Sequence, residues 1–161
     1  MKRPYNLLLR VLFLLLATIA AACTLNNLRS DRLPWHGDWD KHVENRARQT
    51  GVPLIGLHTV RQALMIPSTR LLDARPTADF RAGHIPRATS LPIDHAEELI
   101  AAMQIDLQRE QPIVTYCARN DCDEGLELAL FLRRIGFTNV TLFAGGLTEW
   151  RAGGEAVEVE P

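Results

Sequence analysis

Between Pro112 and Gly136 the pattern of apolar and polar positions changes twice. Ile113-Val114-Thr115-Tyr116-Cys117 is a short, nearly continuous apolar run, the form of a strand buried on both faces. A polar stretch follows, from Ala118 to Gly125. Leu126, Leu128, Ala129, Leu130 and Leu132 then continue as a helix with acids at its start, and Arg133 and Arg134 precede its stop at Gly136. This order sets Cys117 at the carboxyl end of a strand, facing a helix N-terminus. In open α/β sheets ligands bind there, because free backbone N–H groups and the positive end of the helix collect at that rim.

The rest of the chain repeats the alternation. Leu54-Ile55-Gly56-Leu57 reads as a short strand, and Thr59 caps a helix running to about Met65. A second strand covers Arg70 to Asp73. Pro76 suits the first turn of a short helix ending at Gly83, after which the chain is extended over Ser90 to Ile93. A helix runs from Asp94 to about Gln104, and the last strand is Val140 to Phe143. Gly145-Gly146 forms a tight turn before a final helix from Leu147 to Ala152. Strands separated by helices predict an α/β fold: a central, mainly parallel five-stranded sheet with helices on both faces.

One segment stands outside this pattern. Lys2, Arg3 and Arg10 precede Val11 to Leu25, a run with no charged residue. As a helix its span is about 22 Å, short of the roughly 30 Å of a bilayer core unless Leu7 to Leu9 are included and Arg10 snorkels. An uncleaved anchor is preferred to a signal peptide. Ala20-Ala21-Ala22 before Cys23 nevertheless offers small residues for cleavage, and leaves a secreted form or a lipoprotein open. The basic residues ahead of the run predict a single-pass protein of the inner (cytoplasmic) membrane, its domain facing the periplasm or cell exterior. Residues 1–25 are thus the membrane segment. Residues 26–53, polar and carrying Trp35 and Trp39, read as a tether with a possible short helix from Asp40 to Arg48, and 54–158 as the domain.

Composition narrows the chemistry. Four of the 18 Lys and Arg residues, and no acid, lie in the first 30 positions, leaving 14 basic against 19 acidic groups, which argues against a nucleic-acid partner. Cys23, Cys117, Cys122 and five histidines form no C-x-x-C pair and no His-x-x-x-His spacing, so no metal or other cofactor is expected.

Five motifs occur in sequence: Leu72-Asp73-Ala74-Arg75; Phe80-Arg81-Ala82-Gly83-His84-Ile85-Pro86; the Tyr116-Cys117 strand end; Gly136-Phe137-Thr138-Asn139-Val140; and Phe143 to Trp150 around Gly145-Gly146. With these the chain resembles a single rhodanese-like (sulfurtransferase) domain from about residue 54 to 158. The resemblance implies that a loop cysteine, matched by Cys117, accepts a sulfane sulfur as a persulfide from a small donor and passes it to a thiol. Asp73 and Arg75 match an acid and a base that support the site region, and His84 matches the histidine of a Gly-His-Ile-Pro turn. Substrate-binding positions are then Arg119, Asn120, Cys122 and Asp123.

The loop departs from the family pattern. It is about two residues longer, without the usual glycine and closing arginine. Phosphatases sharing the fold close a longer loop with an arginine six residues after the cysteine; Asp123 stands there, which excludes phosphoryl transfer. Asp121, Asp123 and Glu124 are preferred as helix-capping residues, Asp121 or Asp123 at the N-cap and Glu124 in the first turn, and together they are also expected to raise the thiol pKa and repel thiosulfate. Cys122 is expected to close a disulfide with Cys117, to resolve a persulfide formed on Cys117, or to be a chance loop residue. Two other functions stay open: a Cys117/Cys122 thiol–disulfide switch and a non-catalytic interaction module.

Overall fold

The structure is a computed structural model that describes residues 4–29, 41–102, 107–119 and 121–160. The chain divides into two compact units, Met1–Gly37 and Asp38–Pro161.

In the first unit, helix α1 spans Pro4–Leu28. Its apolar part, Leu7–Leu28, has 22 residues, a length of about 33 Å at the α-helical rise, enough to cross a bilayer core. The Thr18 and Thr24 hydroxyls donate to the Leu15 and Ala20 carbonyls at 2.8 Å, so neither leaves an unpaired polar hydrogen on the apolar surface. Such a helix has the form of an anchor or of a signal sequence.

The second unit is built on four parallel strands among the described residues: β1 (Arg70–Asp73), β2 (Ala88–Ser90), β3 (Ile113–Tyr116) and β4 (Val140–Phe143), in the order β2-β1-β3-β4. Every residue of β3 is buried, as a central strand covered on both faces requires. The helices are α2 (His42–Thr50), α3 (Leu57–Leu64), α4 (Thr77–Ala82), α5 (Ala96–Ala101), α6 (Glu124–Arg134) and α7 (Gly146–Ala152). Leu72, Ile113, Val140 and Leu142 share one core with α2, α5 and α6. Leu71, Val114, Tyr116 and Phe143 share the other with Val60 of α3 and Leu147 and Trp150 of α7. The Trp150 indole N–H donates to the Ala156 carbonyl at 2.8 Å.

Several expectations need correction. The expected fifth strand at Leu54 is a single parallel bridge, Leu54 to Leu142, flanked by bonds from Ile55 N–H to the Leu142 carbonyl and from Leu142 N–H to the Pro53 carbonyl. Pro53 has no N–H to extend the ladder, and α3 begins at Leu57, before another pair can form. Thr59 lies inside α3, and Gly56 occupies the cap position. Pro76 precedes α4. The extended segment is Ala88–Ser90; Pro92 introduces a 3-10 turn, Ile93–His95, ahead of α5. Finally, Val43, Ala47 and Val52 are buried in the core, so α2, read within the tether, belongs to the folded unit, which begins earlier than position 54.

Candidate functional site

Register decides where the cysteine comes out. Tyr116 pairs with Asp73 on one side and Phe143 on the other, so Cys117 leaves the middle of the sheet at its carboxyl rim, and it is buried. Two glycines hold the chain there. A Cβ on Gly125 would lie 3.0 Å from the Tyr116 carbonyl carbon and 3.2 Å from Cys117 N, so only glycine lets the first turn of α6 press against the strand end. Gly146 has φ +56°, and a Cβ there would collide with the Cys117 carbonyl oxygen. That close approach lets the Leu147 and Thr148 N–H groups donate to the Cys117 and Ala118 carbonyls at 3.0 and 2.9 Å. The N-terminus of α7 therefore grips the start of the loop.

Cys117 and Cys122 are paired as a disulfide, with their Cα atoms 6.1 Å apart, a Cα separation that a disulfide can span. The Glu124 Oε2 atom lies 3.4 Å from the Cys117 sulfur and 2.7 Å from the Cys122 sulfur. Glu124 also lines a cleft of about 310 Å³, bounded further by Pro76, Thr77, Pro92, Ile93 and Asp94. The cleft thus adjoins the sulfur pair through a carboxylate.

The loop's three acids have separate partners. Asp121 pairs with Arg119, which is largely exposed. Asp123 pairs with Arg46 of α2 at 2.7 Å, with His42 Nε2 at 3.9 Å. Although Asp123 precedes α6, its side chain makes no capping bond, and its Oδ1 is buried without a hydrogen-bond partner among the described residues. Asp123 thus holds the N-cap position and Glu124 the first turn, as expected, but the capping bond is not made: the Asp123 carboxylate pairs with the arginine on α2. Only Glu124 reaches the sulfurs. Asn120, also expected to bind substrate, lies outside the described residues. Cys122 N–H is already donated to the Arg119 carbonyl at 3.2 Å.

Asp73, Arg75 and His84 form a brace beside the site. Arg75 Nε donates to both Asp73 oxygens at 2.9 and 3.1 Å, and its Nη2 donates to the Gly83 carbonyl at 2.9 Å. Burial opposes the charge on Arg75, but the Asp73 carboxylate outweighs it and raises the arginine pKa. Burial pushes the Tyr116 hydroxyl far up, and the Asp73 charge adds to this. The neutral hydroxyl accepts a bond from Ile85 N–H at 3.2 Å. His84 is buried, stacks on Phe80 with centroids 3.8 Å apart, and donates from Nδ1 to the Phe80 carbonyl at 2.9 Å. Arg75 and Tyr116 together fasten the Gly83-His84-Ile85-Pro86 turn to the sheet rim.

Cys117, Cys122 and Glu124 are the group of metal-ligating type found among the described residues, their donor atoms all within 4.8 Å of one another. The thiolates that a metal needs exist there only after the disulfide is reduced. Two residues gain weight beyond what the sequence assigned them: Glu124, weighed only among three acids, and Arg46, placed in the tether. Position on the first turn of α6 marked Glu124. No local signal marked Arg46.

Comparison with known proteins agrees with this architecture. Residues 57–153 match the family described as Rhodanese-like domain. The HTH-type transcriptional regulator Rv0324 of Mycobacterium tuberculosis (strain ATCC 25618 / H37Rv) is 32% identical over 88 residues, which are 55% of this chain and 37% of that regulator. The chain thus spans a little over a third of that relative's length. Among solved structures, the Alr3790 protein of Anabaena sp. superposes with a TM-score of 0.58 at 28% identity, covering 66% of this chain and 92% of that one. The human single-domain sulfurtransferase TSTD1 does so with a TM-score of 0.54 at 26% identity, covering 63% and 97%. BH2092 of Bacillus halodurans, at 22% identity, 72% and 83% coverage and a TM-score of 0.61, shares the fold. With the matched region spanning the sheet, the cysteine loop, α6 and α7, the chain belongs to the rhodanese-like domain family.

Proposed function

We propose that the domain is a sulfurtransferase in which Cys117, once freed from Cys122, accepts a sulfane sulfur. The observation that carries this reading is the position of Cys117 on the rim of a rhodanese-like sheet, on a loop gripped by α7 and beside a cleft. The likeness to a human single-domain sulfurtransferase supports it. The Cys117 thiolate attacks the outer sulfur of a donor persulfide, R–S–SH. The bond between the donor's two sulfurs breaks, the thiol R–SH departs with the shared proton, and Cys117 is left as the persulfide anion. Loop backbone N–H groups hold the transferred sulfur, as helix N-termini and loops hold anions. Arg119 assists only on leaving Asp121.

Substrate class follows from charge. The Asp94 and Glu124 carboxylates on the cleft disfavour a dianion such as thiosulfate, so a low-mass persulfide or polysulfide is the better donor. We read α1 as an anchor with the domain on the non-cytoplasmic side of the membrane, a reading that the basic residues ahead of α1 support. Intact mass of the reduced full-length Cys122→Ser chain after exposure to a polysulfide tests the reaction: the chain should gain one sulfur atom, mapped to Cys117. No gain with any donor removes the sulfurtransferase reading.

The disulfide supports a second function, a thiol–disulfide switch that carries no sulfur. Alkylation with and without reductant, on chains never exposed to a donor, reads that state directly.

A further inference from the structure

Accepting a sulfur at Cys117 needs one cysteine, yet the loop holds two in bonding reach. Cys122 is kept there by contacts on every side: α7 grips the carbonyls of Cys117 and Ala118, Cys122 N–H donates to the Arg119 carbonyl, and the neighbouring Asp123 is tied to Arg46 of α2. Glu124 touches both sulfurs and sits closer to that of Cys122. A persulfide formed on Cys117 therefore meets Cys122 before it meets any thiol from solution.

Building on the sulfurtransferase reading, we infer that Cys122 is the resolving nucleophile of the site: it attacks the Cys117 sulfur of the persulfide, expels hydrosulfide and leaves the Cys117–Cys122 disulfide. The new bond joins the two cysteine Sγ atoms. The bond between Cys117 Sγ and the transferred sulfur breaks, and its electron pair leaves with the outer sulfur as HS⁻. The sulfane sulfur is reduced to sulfide, while the two cysteine sulfurs supply the two electrons and become a disulfide. The Cys122 proton passes through the Glu124 carboxylate towards the departing sulfur, which relieves the negative charge that would otherwise build up between thiolate and persulfide. On this reading the Cys117–Cys122 disulfide is the end of a turnover. An external dithiol must reopen it, giving up two protons and two electrons and becoming a disulfide in turn. In sequence, a reaction that makes low-mass persulfides supplies the substrate, and a dithiol–disulfide reductase system resets the site.

The test uses the full-length chain in detergent, carrying Cys23→Ala so that the loop cysteines are the only thiols, reduced and freed of reductant. One equivalent of glutathione persulfide is added, hydrosulfide is measured, and the chain is trapped with iodoacetamide and weighed. The expected result is one hydrosulfide per chain with no added thiol, and a chain lighter by two hydrogen atoms that takes up no alkyl group. Cys122→Ser should retain the added sulfur on Cys117 and release hydrosulfide only when an external thiol is supplied. Glu124→Gln should still load but release hydrosulfide about a hundredfold more slowly, in the range for loss of a proton-transfer group. Retention of the persulfide on Cys117 in the chain with both loop cysteines, with Cys122 open to alkylation, overturns the resolving role and leaves sulfur transfer standing. A sulfur found on Cys122 in place of hydrosulfide overturns it as well. Failure of Cys122→Ser to gain sulfur overturns both. The hydrosulfide yield of the unsubstituted loop decides the matter even if a variant folds poorly.

Discussion

Replacing Glu124 with glutamine removes one negative charge from the sulfur pair and keeps the side chain's shape, so its effect can be worked from distance. In the reduced site a Cys117 thiolate would face the carboxylate oxygen at 3.4 Å. Two like charges at that separation repel by about 5 kcal/mol at an effective dielectric constant of 20 and by about 1 kcal/mol in water. Glu124 is half-buried and opens on the cleft, so an intermediate repulsion of about 2–3 kcal/mol applies. The carboxylate thus disfavours the Cys117 thiolate, and Glu124→Gln relieves that repulsion. The assay is the rate of iodoacetamide alkylation against pH, over roughly pH 6 to 11, in Cys23→Ala/Cys122→Ser chains with and without Glu124→Gln. The inflection should move to lower pH, and sulfur uptake from thiosulfate should rise relative to uptake from a persulfide. An inflection that stays in place would mean that the carboxylate leaves the sulfurs once the disulfide opens, and the electrostatic account of donor choice would go with it.

Three further outcomes are expected. Gly146→Ala should cost about 2 kcal/mol or more in urea unfolding, because its left-handed backbone disfavours a side chain and the added carbon meets the Cys117 carbonyl. Asp73→Ala should destabilise by about 3 kcal/mol or more by leaving the buried Arg75 charge unpaired; the Asp73→Ala/Arg75→Ala chain should lose less than the sum of the single changes, read by a double-mutant cycle. Stability should fall in alkali, since Tyr116 has a raised pKa in the folded state. A raised acid contributes fully below its unfolded pKa of about 10 and progressively less above it, so the urea midpoint should begin to drop near there, and Tyr116→Phe should flatten that drop.

The chain by itself determined what depends on neighbours in sequence. A buried run ending in Cys117, an amphipathic stretch after it, acids at the start of α6 and arginines at its end specify strand, loop and helix through periodicity and the helix dipole. The same local logic located β1, β4 and α7, and the order of five short motifs named the fold. The tertiary structure decided the rest, because contacts between distant segments leave no periodic trace. Leu54 looks like a strand alone, yet its neighbour Pro53 and the start of α3 limit it to one bridge on β4. Nothing in the order of the loop's three acids says which of them meets the sulfurs. Packing sends Asp123 to Arg46 of α2 and Asp121 to Arg119, and leaves Glu124 on the two sulfurs. Cysteines five positions apart permit a disulfide without requiring one. It is the grip of α7 through Gly146, possible only where a backbone without a side chain meets the Cys117 carbonyl, that holds the start of the loop in place and makes the pair of cysteines a single chemical unit.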